Sequence, residues 1–258
     1  MAHIDRLTVY PVKGLDRLDV DRSRVLPGGT LEHDREFALL DADGERVNAK
    51  QSGRFHALST AYDPETVTLR VASPERREFA LDTESSRAEA AAWLADALGL
   101  DGDLRLDHSP DLGHVDRQSM GPSVVSTATL ETVADWFEGV TVDGARRRLR
   151  ANIEVGGVPA FWEDRFVGAD APAFRAGDVR IEGVTPCGRC VVPSRDPDSG
   201  EPTPEFRERF VRRRRETFPD WADPEAFDHF YTMMLIARVP EADRGATISV
   251  GDDVEIVA

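Results

Sequence analysis

Residues 183–200, GVTPCGRCVVPSRDPDSG, hold both cysteines of the chain. Cys187 and Cys190 are two residues apart, follow Pro186 and enclose Gly188 and Arg189. A thiolate is a soft ligand and a good nucleophile, and a nearby guanidinium favours the charged form. Downstream, residues 196–200 (DPDSG) read as a tight turn. Three chemical uses suit this loop: half of a zinc site, a dithiol–disulfide pair, or one cysteine as metal ligand or sulfur carrier beside a packed partner. A fourth reading makes both cysteines small buried hydrophobes. Structural zinc takes four ligands, and His3, His33, His56, His108, His114 and His229 form no paired motif near a cysteine. A redox CxxC normally opens a helix, whereas Cys190 runs into Val191-Val192-Pro193.

The charge balance sets a second group of candidates. The 258 residues include 48 acidic and 32 basic side chains, a net charge of -16. Lys13 and Lys50 are the only lysines; every other basic residue is arginine. A dense acidic surface almost without lysine fits a halophilic protein, because salt screens its self-repulsion. The same balance argues against general nucleic-acid binding. It also singles out each lysine as a residue to account for.

The remaining totals narrow the class. Apolar residues make up 40 % of the chain, and no run is long enough to span a bilayer. The opening residues, MAHIDRLTVYP, lack the pattern of a signal peptide, so a cytoplasmic protein is expected. Two close cysteines make no disulfide framework. They are too few for an iron–sulfur cluster, and no glycine fingerprint for flavin or NAD is present.

The elements that must position these residues read mainly as β with helices, an α+β chain. Strands are expected over residues 4–12, 37–40, 46–50, 66–71 and 77–81, with a hairpin turn at 41–44. A helix is expected over 85–100, capped by Ser85 or Ser86 and stopped by Gly99. Residues 102–122 read as a connection or site loop. Val124 and Val125 lead into a helix capped at Ser126-Thr127. Residues 148–155 read as a strand with Arg150 and Asn152 on one face. Further strands are expected at 179–184 and 229–239, a helix at 204–218, and a hairpin from 248–250 with 254–256. Short strands between turns suggest a closed or nearly closed β-barrel for the C-terminal half. The division expected is 1–105, a sheet-rich domain closed by a helix, and 106–258.

Five pieces, in order, resemble the MOSC family, the C-terminal domain of molybdenum cofactor sulfurases. They are YPVKG at 10–14, DREFALLDADGERVNAKQ at 34–51, SVVSTATLETV at 123–133, RLRANIEV at 148–155 with FWED at 161–164, and PCGRC with DPDSG. The closer likeness is to the group with its own N-terminal β-barrel domain, which includes the mitochondrial amidoxime reducing component. The resemblance implies a MOSC β-barrel plus a smaller N-terminal β-rich domain, with a molybdenum cofactor (Mo-molybdopterin) between them. It implies Cys190 as the cysteine that holds molybdenum. Pterin and phosphate contacts map onto Lys13, Gly14, Arg35, Arg150, Asn152, Gly188 and Arg189, and either Ser119 or Ser126 matches a hydroxyl contact. Many relatives carry Ser after the lysine; Gly14 here offers only a backbone N–H. The implied function is reduction of small N-hydroxylated compounds with electrons from an external donor, a ferredoxin or a reductase. The alternative is a sulfur carrier or molybdenum-cofactor carrier using a Cys190 persulfide or thiolate without redox turnover.

Independent chemistry agrees. A phosphorylated pterin dithiolene wants guanidiniums, an ammonium and backbone N–H groups, which Lys13, Arg35, Arg150 and Arg189 supply. Molybdenum in a sulfur shell accepts a thiolate. Without the family likeness, Arg35 would read as a surface ion pair, Asn152 as a bulge partner and Asp164 as a turn acid. Trp136, Phe161 and Trp162 read as core. Arg207, Arg209 and Arg212 to Arg215 have two readings: a solvated face pairing with Glu205, Glu208 and Glu216, or a docking patch for an acidic electron donor.

Overall fold

The computed structural model describes residues 1–116 and 120–257. The chain opens with β1 (His3–Val9), β2 (Leu18–Val20), β3 (Arg22–Arg24), β4 (Phe37–Leu40) and β5 (Arg46–Val47). Next come β6 (Ser59–Asp63), β7 (Thr68–Ser73), β8 (Arg77–Ala80), α1 (Glu84–Leu98) and β9 (Arg105–His108). The second half holds β10 (Ser123–Ser126), α2 (Thr127–Asp135), α3 (Val142–Leu149), β11 (Ile153–Gly156), β12 (Ala173–Ala176) and β13 (Val179–Gly188). It ends with α4 (Phe206–Glu216), β14 (Thr232–Arg238), β15 (Thr247–Ser249) and β16 (Val254–Val257). The architecture is the expected sheet-rich one with a few helices. Among the described residues, no helix is long and apolar enough to cross a membrane.

Eight strands form the main sheet in the order β16-β12-β13-β14-β10-β11-β1-β2. One pair, β10 with β11, is parallel, so the chain must cross over between them. It does so through α2 and α3, which pack on the sheet with α4 around Leu130, Val133, Leu149, Phe206 and Phe210. The opposite face is the main core, where alternate residues of each strand point inward: Ile153 and Val155 of β11, Leu235 and Ala237 of β14. The sheet curls back so that its first strand, β16, meets β1, the strand next to its other edge. Ile4 donates its N–H to Asp252 O at 2.9 Å and Val254 to Ala2 O at 3.0 Å, which ties the start of β1 to the start of β16. This barrel-like closure covers backbone that an open edge would leave unpaired.

Two smaller sheets, β5-β4-β9 and β6-β7-β8, carry α1 and a core of their own. Helix α1 buries Ala90, Ala91, Leu94 and Leu98 against it and ends at Gly99 in the left-handed region. Its cap is Thr83, not Ser85 or Ser86: the Thr83 hydroxyl accepts from Ser86 N at 3.2 Å, a bond that contributes about 1 kcal/mol.

Four further expectations change. Residues 102–122 are not simply a loop, since β9 pairs with β4 from Phe37↔His108 to Leu40↔Arg105. Residues 148–155 are not one strand: Arg148 and Leu149 finish α3, Arg150 has φ 58° as its left-handed cap, and only 153–156 are extended. The terminal strands do not form a hairpin. β15 pairs with β3 and β16 with β12, because the turn at 251–253 sends them to different partners. Finally, the run Arg212 to Arg215 is split by helix geometry, and Arg214 points into the core with no exposed surface.

Candidate functional site

A cleft of about 240 Å³ opens where turns of the smaller sheets meet the ends of the main-sheet strands. The turn after β1 brings Lys13 and Gly14, the turn before β4 brings Arg35, and the segment after β5 brings Lys50. Arg150 and Asn152 come from the passage between α3 and β11, and residues 187–190 from the end of β13. Of the candidates read from the sequence, Lys13, Gly14, Arg35, Arg150, Asn152, Gly188, Arg189 and Cys190 therefore line one cavity. Ser126 does not line it. Its hydroxyl caps α2 through Thr129 N at 3.1 Å and donates to Pro159 O at 3.2 Å, fully buried. Ser119 lies outside the described residues; among those described, Ser123 is the hydroxyl residue on the cleft wall.

Both lysines converge on Asp116. Lys13 Nζ donates to Asp116 Oδ1 at 2.6 Å and to His114 O at 2.7 Å, while Lys50 Nζ reaches Asp116 Oδ2 at 3.0 Å. Lys13 is buried, and desolvation lowers its pKa to about 8 even against the pull of Asp116. The two ammonium groups hold the Asp116 carboxyl well below the usual carboxylate range, despite its own desolvation. The arrangement is an anion site with a carboxylate in it.

Tyr10 organises two of the arginines. Its ring carries Arg150 at 4.0 Å and Arg35 at 5.1 Å from the centroid. Like charges are thus held near one another by the negative faces of one buried ring. Arg35 also bonds Asp34, and Asp34 accepts from Tyr10 N at 3.0 Å. Arg150 has no acid partner among the described residues; it donates to Leu15 O at 2.8 Å. Burial depresses its pKa, with Arg35 adding to the effect. Both residues have positive φ, 55° and 58°.

The sulfur end is built on a bulge. Pro186 pairs with Leu235 but Gly188 with Thr232, so Cys187 faces both Met233 and Met234. The extra residue, Met234, takes φ 77° and lines the cleft. Bulges re-aim side chains in this way beside functional sites. Arg189 Nη1 donates to Cys187 Sγ at 3.2 Å and Nη2 to Leu149 O at 2.9 Å. The guanidinium between the cysteines therefore serves Cys187, not Cys190. Cys190 is half-buried, and Tyr231 holds its carbonyl through a 3.2 Å hydrogen bond.

Asn152 has a framework role as well as a place on the wall. Its Oδ1 accepts from Ser123 N and Oγ at 3.1 and 3.0 Å, and its Nδ2 donates to Thr8 O at 3.1 Å. Gly14 is required where it stands: φ is +97° and an added Cβ would lie 2.9 Å from Phe55 Cδ1. His56, Tyr10, Asp116 and Ser123 were not singled out in the sequence. His56 Nε2 is buried without a hydrogen-bond partner, and desolvation followed by the charges of Arg150 and Arg195 lowers its pKa, which favours the neutral ring.

These groups define what the cleft can hold. Among the described residues, its wall carries five cationic side chains (Lys13, Arg35, Lys50, Arg150, Arg189) against two carboxylates, Asp34 and Asp116, on a chain whose net charge is -16. Among the described residues, no three His, Cys, Asp or Glu side chains come together as a metal-ligand set. A metal held here would take thiolate from the chain and its other ligands from a bound anionic group. A phosphorylated pterin dithiolene meets that description: the cations match its charge and the cysteine sulfur matches the softness of its metal.

Two family models match the chain: the MOSC N-terminal beta barrel domain over residues 1–141, and the MOSC domain over residues 115–255. Among curated proteins, mitochondrial amidoxime-reducing component 1 of Danio rerio is 24 % identical over 76 % of this chain and 70 % of its own length. Mitochondrial amidoxime reducing component 2 of Bos taurus is 22 % identical over 76 % of the chain and 67 % of its length. Molybdenum cofactor sulfurase of Drosophila mojavensis is 25 % identical over 78 % of the chain, which spans only 29 % of that longer protein.

Proposed function

The chain belongs to the MOSC family, and from that premise we propose that it holds a molybdenum cofactor in this cleft and reduces N-hydroxylated compounds with electrons from an external donor. The observation that carries the reading is the cationic cleft on an acidic chain, with cysteine sulfur at one end. Relatives named as amidoxime-reducing components support the substrate class.

In this reading Lys13, Lys50 and Arg35 bind the phosphate end, with Asp116 giving up its place on the lysines. Arg150, held over the Tyr10 ring, and Arg189 would contact the pterin. Cys190 supplies the thiolate. The bound cofactor supplies the redox chemistry that takes oxygen from an N–OH function. The balance is R–NHOH + 2 e⁻ + 2 H⁺ → R–NH₂ + H₂O, so the N–O bond breaks and its oxygen leaves as water. His56, whose buried Nε2 has no hydrogen-bond partner among the described residues, is suited to hold the N–OH by a hydrogen bond or to relay a proton.

The test is metal and pterin content of protein purified from a cofactor-competent host, followed by turnover of a hydroxylamine or amidoxime with an artificial reductant. Near-stoichiometric metal and pterin with turnover are expected. Cofactor without turnover would favour a carrier, and a persulfide on Cys190 would then identify the sulfur-carrier reading. Neither metal nor pterin would overturn the proposal.

Lys13 gives a pH signature. Its folded pKa of about 8 means that the ammonium is lost as pH rises through that value. Sulfate keeps its charge from pH 5 to 10, so its binding reports the site alone. Affinity is expected to fall roughly tenfold between pH 7 and pH 9, the loss of the charged fraction. Lys13→Arg should keep a flat profile, and Asp116→Asn should bind sulfate more tightly throughout. A wild-type profile flat to pH 10 would show that Lys13 does not hold the anion.

A further inference from the structure

Helix α4 carries a cationic surface that the cleft does not use. One of its two readings from the sequence had its glutamates neutralise its arginines. Among the described residues only one such pair forms, Arg213 with Glu216 at 3.0 Å. Arg209 stands four residues after Glu205 and Arg212 four after Glu208, the spacing that favours ion pairs, yet neither pairs. Arg207, Arg212 and Arg215 are exposed, Arg209 is half-buried, and none has a carboxylate within ion-pair distance among the described residues. On a chain with 48 acidic residues, four arginines without an acid on one helix leave their charge for something outside the molecule.

The patch is connected to the sulfur end of the cleft. Arg207 lies over the ring of Tyr231, 5.4 Å from its centroid. Tyr231 donates its hydroxyl to the Cys190 carbonyl at 3.2 Å. One buried aromatic ring thus separates an exposed guanidinium from the backbone of Cys190. Arg215 similarly covers Phe230 at 5.2 Å. Arginine and aromatic side chains together are the composition of protein–protein interfaces rather than of solvated surface.

We propose that the exposed arginine face of α4 is the docking surface for an acidic one-electron carrier protein, which delivers electrons at the Tyr231–Cys190 side of the cleft. The inference rests on the reductive reading above. Each turnover consumes two electrons and two protons, so a one-electron carrier docks, transfers and leaves twice. A patch of unpaired charge suits such an encounter, because it speeds association without building a tight complex. The net charge of -16 repels an extended polyanion such as RNA over the rest of the surface, which favours a compact partner.

The test is binding of an oxidised plant-type [2Fe–2S] ferredoxin, an acidic one-electron carrier, to the full chain at low and at 0.5 M salt. The Arg212→Glu/Arg215→Glu protein is compared with a charge-matched control, Arg76→Glu/Arg77→Glu, on the small sheet. Salt-sensitive binding by wild type, weakened roughly tenfold or more by the α4 change and left within about twofold by the control, is expected. With cofactor-loaded protein, ferredoxin-fed turnover should fall by a similar factor while dithionite-fed turnover holds. Equal losses in both double variants, or no binding by wild type, would overturn the inference. So would tight binding of single-stranded RNA or anionic vesicles that is lost only in the α4 variant while ferredoxin binding is unchanged. If wild type shows no dithionite-fed turnover, the reductase reading fails, and the binding comparison still decides the surface.

Discussion

Cys190→Ser is expected to leave a folded protein without molybdenum and without reductase turnover, while Cys187→Ser keeps the metal. The two thiols share the cleft but not the same surroundings. Cys187 lies within β13, beside the bulge, with its sulfur already accepting the 3.2 Å hydrogen bond from Arg189. It packs against the helix-side core, and Cys190 packs against the core of the smaller sheets, so the difference lies in the hydrogen bonds and not in burial. Cys190 stands past the end of the strand, and the hydrogen bond at that residue goes to its carbonyl, which leaves the sulfur available as a ligand. Loss of an outer partner of a metal ligand commonly costs about 10–100-fold in affinity, so loss of the ligand itself should cost more than about 100-fold. Metal analysis beside thermal melts of both variants makes the comparison. Metal retained by Cys190→Ser and lost from Cys187→Ser would show that the ligand is the other cysteine and that Arg189 tunes it.

Some residues that line the cleft were legible because their types are unusual for this composition, whereas Arg35, Arg150 and Asn152 were picked out only by the family resemblance. A chain with two lysines draws attention to Lys13, and CGRC draws attention to Arg189 and Cys190. What the sequence hid was mostly long-range. Asp116 meets Lys13 across 103 residues, and Tyr10 bonds Ala151 across 141. No local pattern announces such pairs. Backbone conformation was hidden for another reason. Arg35, Arg150 and Met234 have positive φ, which propensity assigns to glycine or asparagine, so residues 148–155 read as a continuous strand. The break at Arg150 turns its guanidinium onto Tyr10, where a strand residue would have stood level with Asn152. The β13–β14 bulge is likewise invisible in HFYTMMLIARV, although it decides which sulfur Arg189 meets.

Arg214→Met should destabilise the protein more than the loss of any other arginine on α4, although it lies in a run that reads as surface. Arg214 is fully buried among the rings of Phe161, Phe218 and Phe227, at 4.6, 5.2 and 5.6 Å. It is paired with Asp164 through Nη2 and donates from Nε to Thr232 O at 3.4 Å. Removing the cation leaves a carboxylate with little solvent, which costs about 3–5 kcal/mol, or roughly 10 °C in Tm for a chain of this size. Replacing both partners, Arg214→Met/Asp164→Leu, should recover most of that loss, because a buried pair contributes little beyond its apolar substitute. The neighbouring Glu163 adds a pH test. Burial, with the Asp164 charge, pushes its pKa up to about 8. A carboxyl with a raised folded pKa contributes stability that is full below its unfolded value and is lost as pH rises through 8. Glu163→Gln should therefore remove a fall in Tm that wild type shows from about pH 5 to pH 8, where the folded carboxyl holds a proton that the unfolded one has lost. A double variant no better than the single, or a Glu163→Gln profile parallel to wild type, would show that this cluster is more hydrated than its burial implies.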